Sequence, residues 1–182
     1  MPTLSVFQRF NSGPNSLAND ERLKYIPMAE REVWKRFITR LEKRTPEQSE
    51  NDKKRLQVAS KLISAMRRAG VEFMAGTDLG NEFLYPGFSL HDELVLLVKA
   101  GLTPMETLQA ATRNPAKFLG MLDSLGTVEK GKFADLVLLE ANPLENISNT
   151  QRINAVVVNG RYLSKETLRK MLTDAEANAR KK

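Results

Sequence analysis

The 182-residue sequence has no cysteine, a single histidine (His91) and a single tryptophan (Trp34). Without cysteine there is no disulfide, no thiolate zinc site and no cysteine nucleophile. That composition fits a reducing compartment, so the cytoplasm is the default expectation. One histidine is too few for a metal centre built mainly from this chain's imidazoles. No apolar run approaches the roughly 20 residues needed to span a bilayer. Residues 1–10 also lack the basic start and apolar block of a secretory signal, so no membrane partner is expected.

Hydrophobic residues make up 41% and charged residues 27% of the chain, which places it among water-soluble globular proteins rather than disordered ones. The net charge of +6 is uneven: +6 over residues 1–75, −3 over 76–163 and +3 over 164–182. The basic excess thus falls on helical segments and on Arg180-Lys181-Lys182. Nucleic-acid binding would want basic residues interleaved with exposed aromatics, or a known module. Neither is present, and no nucleic-acid partner is expected.

Along the chain, residues 4–10 read as a strand and 11–23 as a loop rich in Asn, Ser, Gly and Asp. From about Met28, Trp34, Phe37, Ile38 and Leu41 recur at helical spacing, which makes them core. Thr45-Pro46-Glu47-Gln48 carries a capping box for a second helix. That helix turns Leu56, Leu62, Ile63 and Met66 inward and stops at Gly70. Ser89 with Asp92, and Thr103-Pro104-Met105-Glu106, mark two further helix starts, and Asn114-Pro115 a short third. Beyond Gly126 the period changes to that of strands. Thr127-Val128 and residues 134–139 flank a turn, and 153–158 runs into Asn159-Gly160, a strong hairpin signal. Residues 164–182 read as a charged helix.

The chemistry concentrates at Val71-Glu72-Phe73-Met74-Ala75-Gly76-Thr77-Asp78, an apolar strand ending on Gly, Thr and a carboxylate. Barrels and open α/β sheets present reactive side chains at the C-terminal ends of their strands. Asp78 is placed there to hold a metal or take a proton from water. His91 lies in the first helical turn after the following loop, where it either faces substrate or is a partly buried helix histidine. Phe83, Tyr85 and Phe88 either line a pocket or pin that loop, and Gly76 and Thr77 serve backbone approach and Asp orientation.

Taken together, several motifs resemble the C-terminal portion of the amidohydrolase superfamily, nearest the imidazolonepropionase-like amidohydrolases. They are Ala75-Gly76-Thr77-Asp78, Pro86-Gly87-Phe88-Ser89-Leu90-His91-Asp92-Glu93-Leu94, Ala100-Gly101-Leu102-Thr103-Pro104, Ala110-Ala111-Thr112-Arg113-Asn114-Pro115-Ala116, Leu125-Gly126-Thr127-Val128-Glu129-Lys130-Gly131-Lys132-Phe133-Ala134-Asp135-Leu136-Val137 and Val156-Val157-Val158-Asn159-Gly160-Arg161.

The resemblance implies an α/β fold. Residues 1–125 would be the C-terminal part of a (β/α)8 (TIM) barrel, with 4–10 its seventh and 71–75 its eighth strand. Residues 126–163 would be the C-terminal strands of a small β-sandwich, followed by a charged helix over 164–182. It also implies one or two divalent metals, usually zinc, with Asp78 as both metal ligand and proton carrier in the intact enzyme. The substrate would be a small-molecule amide or cyclic amide, hydrolysed at its C–N bond.

The family's His-x-His pair has no counterpart here, nor do strands one to six. The chain is therefore expected to be the tail of a longer enzyme, binding no metal tightly and hydrolysing nothing alone. It would need the missing N-terminal barrel half or self-association. The alternative is a non-catalytic half-barrel that serves as a structural or interaction subunit.

Overall fold

Residues 4–10 are a helix, not a seventh barrel strand. The computed structural model describes residues 1–181, with Lys182 outside the described residues, and its first element is α1 (Leu4–Asn11). The residues that are buried are Leu4, Ser5 and Arg9, one side of a helix. The loop expected over 11–23 is also structured. It holds α2 (Pro14–Ala18), with Pro14 in the first turn, and a 3₁₀ turn (Glu21–Tyr25) in which the Arg22 N–H donates to Asp20 Oδ1 at 2.9 Å.

The two long helices start and stop as their sequences dictate. α3 (Met28–Glu42) buries Trp34, Phe37 and Leu41. α4 (Pro46–Arg68) opens on the complete Thr45–Gln48 capping box. Gly70, at φ +77°, lets Val71 N–H return to the Met66 carbonyl, a left-handed stop that favours glycine. Ile63 is buried and Leu56 and Met66 pack at the core's margin, whereas Leu62 faces solvent.

Residues 71–75, expected as the eighth barrel strand, carry no strand ladder. A strand needs neighbours for its N–H and C=O groups, and helices bond this segment instead. Ala75 N–H donates to the Ala110 carbonyl (2.8 Å) and Asn114 Nδ2 donates to the Phe73 carbonyl (2.8 Å).

α5 (Ser89–Lys99) does not use the expected Ser89–Asp92 cap. Ser89 is buried with its Oγ accepting the Tyr85 N–H, and Asp92 pairs with Arg22 instead. α6 (Pro104–Ala111) opens on the Thr103–Glu106 capping box, and α7 (Arg113–Phe118) follows directly.

The β unit is an antiparallel sheet of order β1-β2-β3: β1 (Leu136–Leu139), β2 (Ile153–Val158) and β3 (Arg161–Ser164). Thr127-Val128 lies outside it. Asn159 (φ 51°) and Gly160 (φ 71°) both take the left-handed conformation that a two-residue hairpin matching strand twist requires. Val158 consequently pairs with Arg161. A 3₁₀ turn (Ile147–Gln151) precedes β2, and α8 (Lys165–Lys181) ends the described chain.

Two cores result. One gathers Leu4, Ile63, Phe73, Leu94, Leu97, Leu102, Ala110 and Ile147, so α1, α4, α5, α6 and the 3₁₀ turn before β2 share an interior. The other packs Leu17, Ile26, Trp34, Phe37 and Leu41 against Phe83 and Tyr85 of the loop after Asp78. Among the described residues no helix is long and apolar enough to cross a membrane.

Candidate functional site

Asp78 stands at the turn that ends residues 71–77. Its backbone takes φ 56°, a left-handed conformation that Asp and Asn enter more readily than most residues, and its carboxylate is exposed. Asn81 holds both ends of it: Asn81 Nδ2 donates to the Asp78 main-chain oxygen at 2.9 Å and to Oδ2 at 3.0 Å. Among the described residues Oδ1 accepts no hydrogen bond.

Behind Asn81 lies Arg9 of α1, which is 93% buried. Its Nη2 donates to Asn81 Oδ1 at 3.1 Å, and its Nη1 donates to the Glu82 carbonyl (2.7 Å) and carboxylate (2.9 Å). The guanidinium also lies 4.9 Å over the rings of Phe10 and Phe37. Sequence reasoning missed Arg9 and Asn81. The signal for the first was an arginine placed on the apolar face of a short amphipathic segment.

The loop after Asp78 is pinned by aromatics rather than open over the turn. Phe83 and Tyr85 are buried against Trp34 (ring centroids 5.0 and 5.4 Å), and Phe88 stacks on Tyr25 at 5.4 Å. Arg22 lies 4.4 Å over the Tyr85 ring and pairs with Asp20 and Asp92. Burial, reinforced by Asp20, pushes the Tyr85 phenol far above its ordinary range.

His91 is drawn away from the turn, toward the β unit. Its Nδ1 lies 3.0 Å from Thr150 Oγ1, which itself donates to the Ile147 carbonyl at 2.9 Å. With the Thr150 hydroxyl proton given to Ile147, the complementary arrangement has His91 donating through Nδ1–H, which leaves the Nε2 lone pair free. Burial lowers the imidazole pKa, against the opposing pull of Asp92. No contact joins His91 to Asp78. Two surface clefts, of about 600 and 550 Å³, are lined by other residues: Arg113, Asp123 and Lys132 in the first, Arg9, Arg22 and Asp92 in the second.

A divalent metal does not fit these residues alone. Among the described residues no three His, Cys, Asp or Glu side chains converge on one point, while catalytic zinc sites typically use about three protein ligands. Asp78 offers one carboxylate and nothing beside it to complete a shell.

A sequence model of the Amidohydrolase family matches residues 38–163. The chain is 40% identical over 81 residues to an imidazolonepropionase of Agrobacterium fabrum, covering 42% of this chain and 18% of that protein. It is 38% identical over 91 residues to an ochratoxinase of Aspergillus niger, covering 49% and 18%. This chain therefore matches about a fifth of the length of these curated relatives. Among solved structures, bottromycin amidohydrolase superposes on 98% of this chain and 39% of its own with a TM-score of 0.80 at 24% identity, a likeness of fold. A Xaa-Pro dipeptidase with bound methionine superposes with a TM-score of 0.53 at 32% identity, covering 58% and 25%.

Proposed function

Since the chain belongs to the amidohydrolase family, we propose that it is the C-terminal part of a hydrolase acting on the C–N bond of a small amide or cyclic amide. Asp78 is its proton-carrying carboxylate. The observation that carries this reading is the state of Asp78 itself: inside the family match, exposed, with Oδ2 engaged by Asn81 and Oδ1 unengaged among the described residues. In the proposed step, Oδ1 takes a proton from water as the water oxygen bonds to the carbonyl carbon. It returns that proton to the nitrogen as the C–N bond breaks. The metal expected from the family, with zinc the first choice, needs ligands that this chain does not bring together, and no step is assigned to it here. The relatives named for imidazolonepropionase, ochratoxinase and Xaa-Pro dipeptidase activities support the small-amide class.

The test is complementation. The full chain is combined with the Agrobacterium fabrum imidazolonepropionase polypeptide lacking the segment that this chain matches, in buffer containing zinc. Recovery of that enzyme's own reaction is expected, with Asp78→Asn lowering kcat at least roughly a hundredfold. An active assembly indifferent to Asp78→Asn would overturn the role given to the carboxylate.

A second reading, a non-catalytic subunit docked on another barrel half or on a copy of itself, is favoured by the single carboxylate and by apolar side chains left in solvent. Val71, Phe118, Leu119, Phe133 and Val137 are all exposed, and a docked partner would cover side chains of this kind. Light scattering on the purified chain decides it, since a lone monomer with a cooperative melt removes the need for a partner.

A further inference from the structure

We infer that Asn81 is the positioning residue of Asp78 and that Arg9, from α1, fixes Asn81 for that task. The inference rests on the role proposed for Asp78 and adds which carboxylate oxygen reacts and what selects it. The argument is one of donors and acceptors. An amide side chain is nearly symmetric in shape, so its direction is set by its partners. Arg9 has only donors, so the end of Asn81 that it meets, at 3.1 Å, must be Oδ1. The other end, Nδ2, is thereby turned to acceptors and finds the Asp78 main-chain oxygen and Oδ2. Arg9 is held in place, because its Nη1 donates to Glu82 and the rings of Phe10 and Phe37 each lie 4.9 Å from its guanidinium carbon.

The order cation, neutral amide, carboxylate has a chemical consequence. A guanidinium bonded directly to Asp78 would engage both carboxylate oxygens in a fork. A neutral amide between them fixes the rotamer through Oδ2 alone and leaves Oδ1 unengaged among the described residues. The second bond, to the Asp78 carbonyl, holds the left-handed turn that aims the side chain. Positioning of this kind acts on the reacting geometry, where misplacement of about 1 Å can cost roughly a hundredfold.

The experiment starts with 1H–15N spectra of the intact chain. The Asn81 side-chain amide is expected to be motionally restrained and to respond to both Arg9→Lys and Asp78→Asn, while the exposed Asn15 amide does not. In the complemented assembly, Asn81→Ala is expected to lower kcat roughly tenfold to a hundredfold with KM nearly unchanged. Asn81→Asp is the separating variant. It is isosteric and still accepts from Arg9, yet it has no donor for Asp78, so it must lose as much as alanine.

An Asn81 amide as mobile as that of Asn15, or an Asn81→Asp assembly with full kcat, would overturn the relay. Failure of the proposed function looks different: Asp78→Asn is then harmless, or the assembly is inert, and the spectra of the chain alone decide whether Arg9 and Asn81 orient Asp78.

Discussion

The fully buried carboxylate of Glu93, on α5, accepts the N–H of Ser5 at 2.7 Å and that of Leu4 at 2.9 Å. It seals the first turn of a helix that lies 88 residues away in sequence. The first N–H groups of a helix have no partner within it, and α1 has no side-chain cap of its own. Glu93 therefore serves as the cap, and its negative charge faces the positive end of the helix.

Replacing Glu93 with Ala would orphan both N–H groups and open a cavity. The expected loss is about 2–4 kcal/mol, measured by urea unfolding. Glu93→Gln keeps one acceptor and is expected to lose less. Burial raises the Glu93 pKa above its ordinary value of 4.5, outweighing the two N–H bonds that lower it. Between 4.5 and the raised value the folded chain binds more protons than the unfolded one. Wild-type stability should therefore fall as pH rises through that window, and the difference from Glu93→Gln isolates this slope.

His91 carries the opposite sign. Its pKa lies below the ordinary 6.5 because of burial, so the unfolded chain binds the extra proton first. The stability that neutral His91 contributes is complete above 6.5 and is lost as pH falls toward the lowered value. Thr150→Val removes the acceptor of Nδ1–H and should cost about 1 kcal/mol. Nitrogen-15 shifts of the ring should report the Nδ1–H tautomer in the wild type and its loss in the variant.

Gly126 has φ +87°, and a Cβ there would lie 2.7 Å from Ala116 Cβ and 3.1 Å from Arg113 Cα. Gly126→Ala combines backbone strain with overpacking and should cost about 2–4 kcal/mol. Gly131, at φ +93° with nothing within 4 Å of its Cβ position, carries the strain alone. Gly131→Ala should cost about 1 kcal/mol, and the two variants compared by chemical denaturation separate the contributions.

Calorimetric titration of the chain with zinc should give the same weak isotherm for wild type and Asp78→Asn, because one carboxylate does not make a binding site. A dissociation constant below about 10 μM that disappears in the variant would contradict this.

What the sequence disclosed was local. Thr45 with Gln48, Thr103 with Glu106 and Asn159-Gly160 each act within four residues, and each does in the structure what its chemistry suggests. The family likeness was readable because its motifs keep their order. The misses are long-range. The helix over Leu4–Asn11 carries no side-chain cap of its own and takes its cap from Glu93, so its start is not marked within residues 4–10. Residues 71–75 have a strand's composition, yet a strand also needs neighbours. Ser89 carries a capping residue's identity, but its hydroxyl is taken by the Tyr85 N–H. The role proposed for Asp78 was read from its place after Gly76-Thr77, whereas its tie to α1 runs through Arg9, 69 positions earlier, and only the fold brings the two together.

Order of synthesis gives the Glu93 cap a temporal meaning. α1 precedes its cap by 88 residues in the chain, so its first turn cannot be completed until residue 93 has left the ribosome. Until then the first amide groups of the segment stay in water. The hairpin at Asn159-Gly160 needs no such delay and closes as soon as it emerges. α1 is therefore completed only after the residues that separate it from Glu93, and its docking brings Arg9 up to the Asp78 turn.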